Sequence, residues 1–289
     1  MDFQAVVDGY HLEGMSVDGD VLWVSDVFDG GIRRCAPDGR VDVFLPERGM
    51  VGGIMQNEGG TVLCSGRDGI AWVDPATGSS GMLLDAIDGE PILGVNEMIP
   101  DGDGGLYFGV LDIESIERHA PKRPGGLYHL SVEGLVRKIC GAITFANGIA
   151  LSPDRRTLYC NETGSGPTAY ELTDRGARPP VLLHAQHDAD GLALDARGDL
   201  WSVGYESSEI LCLAPDGTIR ERIATPAPGI SNIRFGGTGH RDVFITATSP
   251  EAMAEYQETG APTTRGSKVY RAHTETAGLP IPPTRFRLG

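Results

Sequence analysis

Six positions recur in phase along the 289-residue chain: Glu13, Gly52, Asn96, Asn147, Asp190 and Ser231. Each stands two places before a similar stretch of sequence. Four of them, Glu13, Asn96, Asn147 and Asp190, offer carboxylate or amide oxygens. Turn formation does not account for Glu13, because Glu is not a preferred turn residue. Two carboxylates that converge repel each other and raise a pKa unless a positive charge lies between them. A hard divalent cation takes such an oxygen set, with water filling the remaining positions. No His or Cys falls in the set, which argues against a soft-metal site. Locally, Asp190–Gly191 reads as an Asp-Gly turn, and its phase with the other positions suggests a turn that aims a carboxylate.

The stretches that follow these positions are MSVDGDVLWVSD, IMQNEGGTVLCSG, MIPDGDGGLYFGV, IALSPDRRTLYCNE, LALDARGDLWSVG and IRFGGTGHRDVFIT. Each is an apolar run, a turn rich in Asp and Gly, and a second run with a large residue. A third run and a further turn follow. Their starts lie about 40 to 50 residues apart, the period of a four-stranded propeller blade. Such a meander cannot bury both faces alone, but six around an axis can. The chain is therefore read as all-β: one six-bladed β-propeller domain over residues 1–289, its blades four-stranded and antiparallel around an axial site. A β-sandwich with accidental similarity is the competing fold. MDFQAVV and TRFRL are expected to supply outer strands that close the ring. SPEAMAEYQETG, Ser249 to Gly260, is the best helical candidate and reads equally well as a loop.

Composition fits this reading. The 41 Gly and 19 Pro are spread along the chain, which favours short strands and tight turns over long helices. A net charge of -16 disfavours a nucleic-acid backbone or an anionic membrane as partner. The five cysteines are odd in number, scattered, and set in or beside apolar runs, as expected of buried reduced thiols. MDFQAVVDGY has no basic n-region or apolar stretch, and no window approaches a membrane span. A cytoplasmic protein with a small-molecule substrate is the expectation; oligomeric state is not legible.

Against this background, LEGMSVDGDVLWVSD, VNEMIPDGDGGLYFG, FANGIALSPDRRTLYCNET, DADGLALDARGDLWSVGY, SNIRFGGTGHRDVFITA and AGLPIPPTRF resemble the SMP-30/gluconolactonase/luciferin-regenerating-enzyme family. The matches span most of the chain in the family's order. The resemblance implies a propeller with one axial divalent ion held by Glu13, Asn147 and Asp190. It also implies that Asn96 reaches the ion, or its water and substrate, and that Asp190 is the general base. The chain departs from the family in two places. Glu13-Gly14-Met15 stands where Glu-Gly-Pro is common, and Gly94-Val95-Asn96-Glu97 where Arg-x-Asn-Asp is frequent. The missing Arg, at Gly94, holds sugar-acid lactones in sugar-lactonase members, so an aldonolactone substrate is put in doubt.

A divalent ion polarises a carbonyl and lowers the pKa of water, and a neighbouring carboxylate transfers the proton. The expected reaction is hydrolysis of a cyclic ester. Oxygen ligands accept Ca, Zn, Mg, Mn or Fe(II). A metal-dependent phosphotriesterase or other acid–base enzyme, and a noncatalytic binding propeller with a structural ion, are the alternatives. No Gly-x-Ser-x-Gly elbow or metalloprotease His spacing is present. The long segment Ile113 to Gly125 interrupts the third repeat as a lid or a surface insertion. It carries His119 and Arg123, which are candidate substrate contacts. His187 and Asp188 flank Asp190 as loop residues. Tyr205, Trp23 and Trp201 follow the second strand of their repeats, where blade packing is the default; Tyr205 is also a candidate substrate contact.

Overall fold

The computed structural model describes residues 1–118, 121 and 123–289. Among these, six antiparallel sheets form the blades of a propeller, and one two-stranded hairpin lies outside them. The inner strands of blades 1 to 6 are Leu12–Asp18, Ile54–Gln56, Val95–Pro100, Ala146–Leu151, Ala189–Leu194 and Ile233–Gly236. Each packs against the next, and the sixth returns to the first. Blade 4 departs from four strands by adding a short fifth.

The core is divided among the blade interfaces. Six apolar clusters each join one blade to its neighbour, such as Trp201, Ile210 and Ile223 of blade 5 with Ile233, Phe235 and Ile245 of blade 6. Inner strands are therefore covered on both faces, and Ala146–Leu151 and Ala189–Leu194 are buried at every residue. Trp23 and Trp201 pack between blades, as expected, but lie within the second strands of their blades and not after them. The turn DARGD joins the first two strands of blade 5, with Gly198 at φ 86°, a backbone region that glycine enters without penalty. All five cysteines are free, four buried and Cys140 half-buried.

Ring closure follows the expectation at one end of the chain and departs from it at the other. Gln4–Gly9 pairs antiparallel with Ser267–His273 as the outermost strand of blade 6. TRFRL forms no strand. Three prolines at 280, 282 and 283 precede it, and proline has no N–H to give a ladder. The tail is held by one parallel bridge, in which Thr284 N donates to Gln56 O (3.0 Å) and Glu58 N donates to Thr284 O (2.8 Å), and by the Asn57 side chain, whose Oδ1 accepts from Phe286 N (2.8 Å) and whose Nδ2 donates to Phe286 O (3.1 Å). Phe286 is thereby buried with residues of blades 2 and 3.

The Ser249 segment is a helix, α2, spanning Pro250–Thr259, capped by the Ser249 hydroxyl and ended by Gly260 in the left-handed region. A shorter helix, α1, spans Ile113–Glu117 in blade 3. No helix among the described residues is long and apolar enough to cross a membrane.

Candidate metal centre

Four inner strands share one irregularity. Pairing with the second strand skips two residues between Leu12 and Met15, Val95 and Met98, Ala146 and Ile149, and Ala189 and Leu192. The skipped pairs are Glu13-Gly14, Asn96-Glu97, Asn147-Gly148 and Asp190-Gly191. A bulge re-aims a side chain out of the alternating pattern, and here it does so at the same level of four blades. Asp190–Gly191 thus lies inside a strand, which corrects the turn reading. The glycine is required by crowding: a Cβ on Gly191 would lie 2.5 Å from Asn232 Cα of blade 6, and one on Gly148 only 2.3 Å from Leu192 N of blade 5.

The first residues of these pairs meet at the floor of a cavity of about 240 Å³, where Glu13, Gly52, Asn96, Asn147 and Asp190 line it together. Five of the six phased positions are therefore brought together. Gly52 adds no side chain because Asn96 fills the space, with Oδ1 2.0 Å from where a Cβ would stand. Ser231 is absent from the lining; its hydroxyl is turned to Leu12 O (2.8 Å) and Thr246 Oγ1 (2.7 Å), which ties blade 6 to blade 1.

Hydrogen bonds fix the amides. Asn96 Nδ2 donates to Asn147 Oδ1 at 3.0 Å, and Asn147 Nδ2 to Thr163 Oγ1 at 3.3 Å. Thr163 in turn donates to Ala189 O at 2.7 Å. Beneath Asp190, Asn161 Nδ2 holds the carbonyls of Asp190 (3.0 Å) and Gly191 (2.9 Å). The two carboxylates are not so well served. Asp190 is 8% exposed, and its Oδ1 is buried without a hydrogen-bond partner. Burial pushes its pKa well up, and the carboxylates of Glu13, Glu97 and Asp188 push it further, against the Asn147 amide. Glu13 has the His11 imidazole at 3.6 Å.

This is a pocket of excess negative charge with an orphaned carboxylate oxygen, which a cation would satisfy. The donors are hard oxygens, matching a hard divalent ion. Among the described residues no group of three or more His, Cys, Asp or Glu is placed to hold a metal, so a cation there would have to draw on amide oxygens as well. A second cavity of about 280 Å³, lined by residues such as Ile99, Leu151, Arg155, Leu194 and Pro282, contains no carboxylate.

Directly under the floor lies a buried polar cluster that the sequence did not reveal. Arg234 Nη2 meets Glu97 Oε2 at 2.5 Å, and Asn232 Nδ2 reaches the same oxygen at 3.1 Å. Arg234 Nη1 also donates to Asn232 Oδ1 at 2.9 Å. Glu97 and Asn232 occupy the second place of their pairs, where blades 1, 2, 4 and 5 carry glycine. Blades 3 and 6 are thereby joined across the axis.

The fold matches that of solved propellers. A luciferin-regenerating enzyme superposes with a TM-score of 0.83 at 18% identity, covering 98% of this chain and 99% of that one. The model of the SMP-30/Gluconolactonase/LRE-like region matches residues 13–249, from the first floor residue to the cap of α2. The chain belongs to this family. Two of its relatives are a 6-deoxy-6-sulfogluconolactonase of Pseudomonas putida, 27% identical over 83% of each chain, and the pentonolactonase XacC of Haloferax volcanii, 23% identical over 93% of this chain and 91% of that one.

The remaining expected site residues are distributed differently. Tyr205 lines the cavity, and its buried hydroxyl has no hydrogen-bond partner. Burial first, then Asp190 and Glu13, raise its pKa. Arg123 does not line the cavity; its Nε pairs with Asp112 Oδ2 at 2.5 Å. His119 lies outside the described residues. His187 is exposed and faces Glu206 at 3.3 Å. Asp188 instead positions the loop after Tyr205, accepting from Glu206 N (3.1 Å) and Ser207 Oγ (2.6 Å).

Apart from Tyr205, and Ile113 at the start of the segment read as a lid or insertion, the walls went unseen in the sequence. They are His11, Val27, Phe28, Met50, Leu111, Ile113, Phe145, Thr163 and Tyr256, with Tyr205. Rings of His11, Phe28 and Tyr256 lie 5.3–5.9 Å apart in pairs, and His11 is 5.7 Å from Tyr205. A signal existed in the same repeat: Phe28, Leu111, Thr163 and Tyr205 all fall just after the second strand of their blades.

Proposed function

We propose that this chain is a metal-dependent lactonase, with one divalent ion held by Glu13, Asn147 and Asp190 and with Asn96 beside it. The reading is carried by the convergence of these four side chains on one cavity floor with Asp190 Oδ1 unpartnered. Names of family relatives, among them a sulfogluconolactonase and a pentonolactonase, support the reaction class. Calcium, zinc, magnesium, manganese and iron(II) are all compatible with such a donor set.

When bound, the ion supplies Lewis-acid polarisation of a carbonyl oxygen and acidifies water. The chain's own groups do the rest. Asp190 accepts the proton of the attacking water and returns it to the ring oxygen as the C–O bond of the lactone breaks. Asn96 and Asn147, locked by their mutual hydrogen bond, hold the carboxylate and substrate in register. The Tyr205 hydroxyl offers a donor to a substrate oxygen on the wall. The apolar walls keep bulk water from the reacting centre.

Assayed against lactones beside phosphotriesters such as paraoxon, the protein is expected to open lactones with the larger kcat/KM. Faster turnover of the phosphotriester would replace the lactonase reading with a phosphotriesterase one. Absence of both activities would favour a binding propeller.

A further inference from the structure

The cavity that holds the carboxylates is walled by carbon, and this bears on what kind of lactone fits. The upper lining includes Phe28, Leu111, Ile113, Phe145, Tyr205 and Tyr256. Gly94 lies behind this wall at φ 151°. A Cβ there would stand 2.5 Å from both Cγ1 and Cδ1 of Ile113. The buried Ile113 side chain therefore fills the space into which any side chain at position 94 would project. With Gly94 and Ile113 in place, no cationic side chain reaches the pocket from that position.

Among the described polar groups of the lining, the Tyr205 hydroxyl is left for one substrate oxygen and His11 faces Glu13; the others are committed elsewhere. Thr163 and the Asn96 amide donate to the protein. Glu13, Asn147 and Asp190 are engaged with the ion under the reading above. Polyol hydroxyls set against Ile113, Leu111 and Phe145 would lose water and gain no partner, a cost that opposes binding. An alkyl or aryl substituent in the same place gains by leaving water. The aromatic cluster of Phe28, His11 and Tyr256 adds ring edges and faces for a planar group.

We infer that the substrate is a lactone bearing an apolar alkyl or aryl group, with the polyhydroxylated sugar lactones disfavoured. This inference rests on the lactonase reading for the reaction and on the cavity wall for the substituent. The arms of the test separate the two.

Measure kcat/KM for dihydrocoumarin and for glucono-1,5-lactone on the protein supplied with divalent ion. In parallel, measure calorimetric binding of their hydrolysis products, 3-(2-hydroxyphenyl)propanoate and gluconate. The expected result is a preference for dihydrocoumarin of about tenfold or more, with the aryl acid bound more tightly than gluconate. Phe28→Ala, at a partly exposed loop position, should lower kcat/KM for dihydrocoumarin by about tenfold and for gluconolactone by less. Preferred turnover of gluconolactone, or tighter binding of gluconate, overturns the inference. Binding of the aryl acid without turnover of either lactone removes the lactonase reading and leaves the pocket assignment standing. Absence of both binding and turnover overturns both.

Discussion

Asp190→Asn is expected to lower kcat/KM for lactone opening by about 10²- to 10⁴-fold, the usual range for a lost general acid–base group. The variant keeps the shape of the side chain and cannot take a proton from water. It also removes one of two anionic oxygens donors from the floor, so affinity for a divalent ion should fall together with rate. Folding should not suffer. Asn161 holds the backbone of residues 190 and 191 through their carbonyls, independently of the side chain. In the metal-free protein the variant should melt at a higher temperature than the parent, because Asp190 is buried beside Glu13, Glu97 and Asp188 with one oxygen unpartnered. A site that gains stability when its charge is removed is one kept for function. Unchanged turnover with unchanged ion affinity would remove Asp190 from the mechanism.

Arg234→Met should cost about 3–5 kcal/mol of folding stability, the range for stripping one partner from a buried ion pair. Arg234 and Glu97 are each 2% exposed, and their side chains meet at 2.5 Å. Removal of the guanidinium leaves a carboxylate under the floor with only Asn232 Nδ2 and Met98 N as donors. Adding Glu97→Leu to the same chain should restore most of the loss, since a buried pair replaced by apolar groups of similar volume is often neutral or better. Urea denaturation of the parent, the two single variants and the double variant gives the coupling directly. Additive losses would mean that the pair does not join blades 3 and 6 energetically.

The ring of oxygens was legible because it is set by backbone phase. Four blades repeat the same bulge, so the residues two places before those repeats fall at one level whatever their side chains. The form of that irregularity was not legible. Asp-Gly is a turn signal locally, and the need for glycine at 191 comes from Asn232 Cα of another blade. The same limit hid the axial Glu97–Arg234 pair, whose members lie 137 residues apart. Closure by the N-terminal strand could be anticipated from an apolar segment without a partner. The form of the C-terminal tail could not, because a single backbone bridge at Thr284 and the Asn57 side chain hold it in place of a strand. At Ser249 to Gly260 both caps were present in the sequence, yet only Ala252 of the helix is buried, so the apolar stripe was too weak to decide. The wall as a whole is assembled from four blades and two helix-bearing connections, and no contiguous pattern records it.

A bound ion is what the proposed chemistry requires first. Chelate the purified protein, confirm removal by elemental analysis, and follow opening of a lactone before and after titration with Ca, Mg, Mn, Zn or Fe(II). Turnover should fall to the uncatalysed rate on chelation and return with one equivalent of a suitable ion, in the parent protein and not in Asp190→Asn. Full turnover by the metal-free protein would contradict the assignment of Glu13, Asn147 and Asp190 as a catalytic metal centre.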